Sequence, residues 1–253
     1  MRFASLGSGS KGNGTLIEHG GTCLLVDCGF TLSETERRLA CLNKRPTQLS
    51  AVLITHEHGD HVRGAGALAR KYALPLWTTP GTWSAHDFGH LPARYFFNSH
   101  ASFAIGDVQI CPFPVPHDAH EPSQFVFSDG ARRIGLLTDT GCATVHIETM
   151  LTACDALLLE CNHDNQMLND GFYSPPLKRR VGGDLGHLSN AQAAQLLASL
   201  DCSRLQHLVA MHLSENNNTP SLARLALSAA LGCAPEWIAV ADQQQGLTWR
   251  DVL

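Results

Sequence analysis

The chain has 253 residues, 44% of them hydrophobic, which is enough for a sizeable globular core. Its formal net charge of −5, with histidine taken as neutral, disfavours non-specific attraction of the whole surface to nucleic acid and leaves room for a local basic patch. No apolar run approaches the roughly 18–20 residues of a membrane span, and the Gly/Ser-rich start lacks the apolar stretch of a secretory signal, so a soluble, cytoplasmic protein is expected.

Residues 1–6 and 15–19 read as short strands around a Gly/Ser-rich loop, and a hairpin turn at Gly20-Gly21 leads into a third strand, TCLLVDCG. A helix with charges on one face follows over 32–42. The buried strand SAVLIT then ends in a sudden polar cluster, and a helix over 64–73 precedes a strand in LPLWTT. The region 103–138 is β-rich, with a Gly106-Asp107 turn and a hairpin around Ser128-Asp129-Gly130. Next come a helix over 143–153, the continuous apolar strand DALLLE, a helix over 189–199, a strand in LQHLVAMHL and a helix over 219–231. IAVA and GLTWR read as closing strands. Hairpins followed by strand–helix alternation predict one domain over 1–253, an αββα sandwich: two mixed sheets packed together, with helices on both outer faces.

The nine cysteines are odd in number and form no CxxC pair. Cys23, Cys28, Cys111, Cys154 and Cys202 lie in or beside apolar segments and read as small buried hydrophobes rather than disulfide partners.

Histidine is the outlier, with 14 copies, several in polar clusters that interrupt strand-like runs. The strongest cluster is ITHEHGDHVRG, which puts His56, His58, Asp60 and His61 directly after a strand. A loop there can turn His56 and His58 toward one metal ion and Asp60 and His61 toward another, and imidazole with carboxylate suits zinc and similar divalent ions. Further candidates are His117 in PVPHDA, Asp139 in LLTDTG and His212 in MHLSENNN. Asp27, at the end of a strand, is a carboxylate that could orient a ligating histidine.

Other segments bear on the substrate. Ser8, Ser10 and Asn13 sit in a loop whose N–H groups and hydroxyls could cradle an anion. LLLECNHD offers Glu160, Asn162 and His163, and GDLGHLSN offers His187 before a helix. A carboxylate that orients a histidine can make it a proton donor to a departing alkoxide, which phosphodiester cleavage requires. Lys178, Arg179 and Arg180 form the densest basic run and are candidates for holding flanking phosphates, against the alternative of a solvated loop.

The HxHxDH signature resembles that of the metallo-β-lactamase superfamily. The set SGSxGN, HEHxDH, PxxHDA, TDTG, ExNHD, LKxR, GHLSN and HLSxxNN resembles its YycJ-like (WalJ-type) branch over residues 1–220. That likeness implies two divalent metal ions, zinc first and manganese or iron as alternatives. It implies one ion on His56, His58 and His117, a second on Asp60, His61 and His212, and Asp139 bridging them. Asp60, Glu160 and His187 are then the catalytic set. Superfamily relatives that hold two irons for redox chemistry carry Glu at the position of His58, so an imidazole there favours hydrolysis. Members of the branch are bacterial 5′→3′ exonucleases acting on DNA, and the same is expected here. A small-molecule cyclic phosphodiesterase, a thioester or lactam hydrolase, and a non-catalytic metal-binding protein are the competing readings. The last 30 residues carry no motif.

Overall fold

The computed structural model describes residues 1–253. Strands β1 (Arg2–Gly7), β2 (Gly14–His19), β3 (Thr22–Val26), β4 (Ala51–Leu53), β5 (Leu76–Thr78), β6 (Arg94–Phe96) and β14 (Leu247–Asp251) form one seven-stranded sheet in the order β14-β1-β2-β3-β4-β5-β6. Strands β7 (Phe103–Ile105), β8 (Val108–Pro114), β9 (Ser123–Ser128), β10 (Arg133–Leu137), β11 (Ala156–Glu160), β12 (His207–Met211) and β13 (Ala239–Val240) form the other, in the order β13-β12-β11-β10-β9-β8-β7. The helices are α1 (Leu32–Cys41), α2 (Gly59–Val62), α3 (Ala65–Tyr72), α4 (Pro80–Ala85), α5 (Val145–Leu151), α6 (Asn165–Asp170), α7 (Pro175–Val181), α8 (Asn190–Ser199) and α9 (Pro220–Leu231). None is long and apolar enough to cross a membrane.

Alternation along the strands builds three apolar layers. Phe3, Leu24, Val26, Phe125, Phe127, Leu158 and Val209 meet between the sheets. Leu25, Val52 and Leu16 face outward and pack with Leu39 of α1 and Leu68 of α3. Leu157 and Leu159 face outward from the other sheet, against Leu196 and Leu197 of α8 and Leu227 of α9. The strand in DALLLE is therefore covered on both faces, which is why its apolar run is unbroken. This is the αββα sandwich expected from the pattern.

In each sheet an antiparallel meander passes into parallel crossovers: β1, β2 and β3 before β4 to β6, and β7 to β10 before β11 to β13. Strands β8 and β10 both pair antiparallel with β9, so β8, β10, β11 and β12 run the same way. Their carboxyl ends, together with those of β3 and β4, are where open α/β sheets place ligand sites.

Several local expectations are corrected. SAVLIT and LQHLVAMHL contain strands shorter than their apolar runs, and the hairpin loop near Asp129 spans 129–132. The basic run lies on helix α7, so the alternative of a solvated loop is set aside. Ser174 precedes Pro175-Pro176 at its first turn, where proline costs no hydrogen bond. Strand β6 was not expected because all three of its residues are exposed at a sheet edge. Cys23, Cys28 and Cys154 are buried, whereas Cys111 and Cys202 are only partly so; all nine are free.

The last 30 residues close both sheets. Strand β13 pairs parallel with β12, and β14 pairs antiparallel with β1. Between them Gln243 grips the Gly/Ser loop. Its Oε1 accepts from Lys11 N at 2.8 Å and its Nε2 donates to Gly12 O at 2.9 Å.

Gly29 marks a close approach of backbones. A Cβ there would lie 1.6 Å from Asp60 O and 2.7 Å from Asn13 N, where the 8–13 loop meets α2. Gly29→Ala is expected to lower the unfolding free energy by about 3 kcal/mol, the upper end of overpacking costs. Urea denaturation checks this; an unchanged midpoint would show that the loops yield freely.

Candidate metal centre

His56 and His58 follow β4, and His117 follows β8. His56 Nε2 and His117 Nε2 lie 3.1 and 3.2 Å from His58 Nδ1. The outer ring nitrogens leave these inward atoms as lone pairs in the neutral form of each ring. His58 Nε2 donates to Asp118 O at 3.2 Å and His117 Nδ1 donates to Gly186 O at 3.0 Å, since a carbonyl only accepts. The Thr55 hydroxyl gives its proton to Asp27, with Oδ2 at 2.9 Å, so it accepts from His56 Nδ1 at 3.0 Å. Three lone pairs thus converge on one point, where they repel unless a cation lies among them. Ligands on one tetrahedral zinc stand about 3.3 Å apart, given Zn–N bonds of about 2.0–2.1 Å. Burial also holds His56 and His117 below the usual imidazole range, in the neutral form that binds metal.

A second group gathers beside the first. Asp60 Oδ2 lies 3.4 Å from His61 Nε2 and 3.4 Å from His212 Nε2. His61 Nδ1 donates to Asp27 Oδ2 at 2.8 Å, which turns its Nε2 toward Asp60 and Asp139. Asp139 stands between the groups, close to His56 and His61 on one side and to His212, Glu160 and His187 on the other. Its buried Oδ2 makes no well-aligned hydrogen bond, with His61 Nε2 at 3.2 Å as its neighbour, so a cation would satisfy it better than the protein alone does. Burial opposes charge on His61 and His212, yet the surrounding carboxylates of Asp139, Asp27, Asp60 and Glu160 hold both protonated, His212 up to about 10. Protons supply there the positive charge that the carboxylates demand. The donor set fits divalent ions, whose binding would release those protons.

Glu160 and His187 form a pair at the rim. Glu160 Oε1 accepts from His187 Nδ1 at 2.8 Å, and its Oε2 accepts from Thr140 N and Leu188 N at 3.1 and 3.0 Å. Burial works against the Glu160 charge, but His187 and His212 hold its carboxyl down at about 2. Burial likewise works against charge on His187, and Glu160 overcomes it, raising the imidazole above its usual range. His187, Asp139, Asp60 and His212 line one cleft of about 350 Å³.

The comparisons with known proteins agree with this geometry. Residues 22–213 match the family described as the beta-lactamase superfamily domain. The chain is 36% identical to the exodeoxyribonuclease YycJ of Bacillus anthracis over 235 residues, covering 91% of this chain and 89% of that protein. The chain belongs to the metallo-β-lactamase superfamily, in its YycJ-like branch. It is also 36% identical to the exodeoxyribonuclease WalJ of Streptococcus pneumoniae, covering 90% of this chain and 87% of that one. Among solved structures, the metallo-β-lactamase fold protein YhfI of Bacillus subtilis aligns with a TM-score of 0.77 and 16% identity over 99% of both chains.

Within this metallo-β-lactamase site, the structure brings together His56, His58, Asp60, His61, His117, Asp139 and His212, with Asp27, Glu160 and His187 around them. Ser10 and Asn162 line the cleft, and Asn162 Nδ2 also donates to His212 O. The substrate assignment of Ser8 and Asn13 is corrected, because both are buried against the protein. Ser8 Oγ accepts from His212 N at 2.9 Å, and Asn13 Nδ2 donates to Asp60 Oδ2 at 3.2 Å, so they brace the candidate ligands. Only Arg180 of the basic run lines the cleft, held by Asp118 at 2.7 Å. Lys178 and Arg179 face a separate hollow, because α7 turns them to its other side, and the buried His163 lines that same hollow from the loop after β11. Thr55, Asp118 and the Gly186 carbonyl were missed. Thr55 was visible beside the HxHxDH motif, but its role depends on a proton direction that only the fold reveals.

Asp27 accepts from Thr55 and His61 and through them aims two imidazoles. Asp27→Ala is therefore expected to weaken divalent-ion affinity by about 10–100-fold. Competition with a chromophoric chelator measures it; unchanged affinity would remove Asp27 from the orienting network.

Proposed function

We propose that this chain is a two-metal phosphodiesterase that trims DNA from its ends, a 5′→3′ exodeoxyribonuclease. It is a metal-dependent hydrolase by family, and the YycJ and WalJ relatives of 36% identity are named exodeoxyribonucleases. The observation that carries the reading is His187, which lines the cleft with its Nδ1 on the buried Glu160 at 2.8 Å and stands outside the His56/His58/His117 and Asp60/His61/His212 donor groups. It supplies the proton donor that a poor alkoxide leaving group needs.

Two divalent ions held by His56, His58 and His117 and by Asp60, His61 and His212, with Asp139 shared, would supply Lewis-acid stabilisation and an activated water nucleophile. His, Asp and a buried site favour zinc, and the carboxylates leave manganese and iron open. His187 keeps Nδ1 on Glu160, so its Nε2–H is the proton available to the leaving 3′ oxygen. Burial opposes charge on the ring, but Glu160 raises its proton affinity and so favours the doubly protonated form that this donation requires. Arg180, fixed by Asp118, offers a guanidinium to a non-bridging phosphate oxygen. A cleft of about 350 Å³ is at the small end of ligand sites, which suits the end of a strand.

A second reading, hydrolysis of a small cyclic phosphodiester, is favoured by one observation: Arg180 is the only lysine or arginine lining the cleft. DNA labelled at the 5′ or 3′ end, single- or double-stranded, assayed with Mn²⁺ or Zn²⁺ against bis(p-nitrophenyl) phosphate, separates the two. Mononucleotides released progressively from the 5′ end are expected. Turnover of the small diester with intact DNA would overturn the exonuclease reading.

His187→Ala is expected to retain two ions per chain by elemental analysis and to lose DNA cleavage by about 10²–10⁴-fold, the worth of general acid catalysis. The loss shrinks with a p-nitrophenolate leaving group, which needs little protonation. Loss of metal would instead make His187 a ligand.

A further inference from the structure

An aromatic pair beside the cleft has no part in the fold or in the chemistry above. Phe172 and Tyr173 occupy the short loop between α6 and α7. Phe172 is 81% exposed, more than any other large apolar side chain of the molecule. Tyr173 lines the cleft, and its hydroxyl accepts from Asn216 Nδ2 at 3.2 Å, which pins the ring. The two rings meet edge to face, with centroids 5.6 Å apart and planes at 86°, so the phenyl is backed by a fixed neighbour while its outer surface stays open to solvent.

The order of groups along this wall matches a nucleotide. Phe172 and Tyr173 come first, and Leu177 lies in the first turn of α7. Arg180 follows three residues later on the same helix face, and both Leu177 and Arg180 line the cleft with His187. An aromatic surface, an apolar step and a guanidinium would meet a base, a sugar and a phosphate in turn. The rest of the cleft lining is largely polar, so Phe172 is not the edge of a broad apolar patch of the kind a folded partner would cover.

We propose that Phe172, backed by Tyr173, stacks on a nucleobase of the strand whose phosphate occupies the cleft. Every base has a π-face, so such a platform holds a strand end without reading its sequence. The inference rests on the exonuclease reading, and supplies the base contact that a chain with net charge −5 and one cleft arginine otherwise lacks.

The test uses full-length protein with Phe172→Ala, Phe172→Leu and Phe172→Trp on a single-stranded oligonucleotide. A matched oligonucleotide that is abasic at its terminal three positions serves as the second substrate. Phe172→Ala and Phe172→Leu are expected to raise KM by about 5- to 30-fold with kcat within about twofold, and Phe172→Trp to restore KM. On the abasic strand, wild type and Phe172→Ala should share one KM, because the partner of the ring is gone. Equal KM for wild type and Phe172→Ala on intact DNA would overturn the stacking role while leaving the exonuclease reading in place. So would Phe172→Leu matching wild type, which would make the contact merely apolar. A wild-type dimer that dissociates on Phe172→Ala would assign the ring to a contact between copies. Wild-type protein that leaves both strands uncut would overturn the exonuclease reading and this inference together.

Discussion

The hydrogen bonds of one buried carboxylate hold the centre in order. Asp27 accepts from Thr55 N and Oγ1 and from His61 Nδ1. The threonine hydroxyl, having spent its proton, can only accept from His56. One anion therefore fixes the orientations of two imidazoles in different donor groups. Backbone carbonyls of Asp118 and Gly186 do the same for His58 and His117. Without these outer partners the inward lone pairs would be free to rotate away from one another, which is the lower-energy arrangement for an empty cluster.

The backbone carries part of the same burden. Asp27, Asp139 and His212 all adopt left-handed φ values, 61°, 51° and 54°, within two residues of the ends of strands β3, β10 and β12. Such conformations cost of order 1–3 kcal/mol each for residues with a Cβ. At a strand end they turn a side chain sharply into the space between the sheets' rims, where a regular strand would point it to one face. The layers of apolar side chains beneath those strands supply the rigidity that sustains the strain.

The αββα architecture was legible because burial patterns are local: DALLLE, covered on both faces, and the alternating hairpins announce themselves residue by residue. The HxHxDH cluster was legible for the same reason, being four donor residues in six positions. What the sequence hid depends on direction. Ser8 and Asn13 have the composition of an anion cradle but turn inward, to His212 N and Asp60. Lys178, Arg179 and Arg180 are adjacent in the chain, yet a helix sends successive residues about 100° apart, so one basic residue reaches the cleft and its neighbours do not. Phe172 had no periodic partner to mark it, and its exposure is visible only in three dimensions.

Gln243 joins the ends of the chain in a way that bears on biosynthesis. It grips Lys11 N and Gly12 O across 232 and 231 residues, and β14 completes the sheet beside β1. The same 8–13 loop braces His212 and Asp60 through Ser8 and Asn13. While the chain is emerging from a ribosome, that loop lacks its far partner until residues 239–251 have cleared the exit tunnel. Contacts of such long sequence separation form late and slowly. A nascent chain would therefore carry most of its candidate ligands well before it could hold them in register, and hydrolytic competence would arrive only with the last strand.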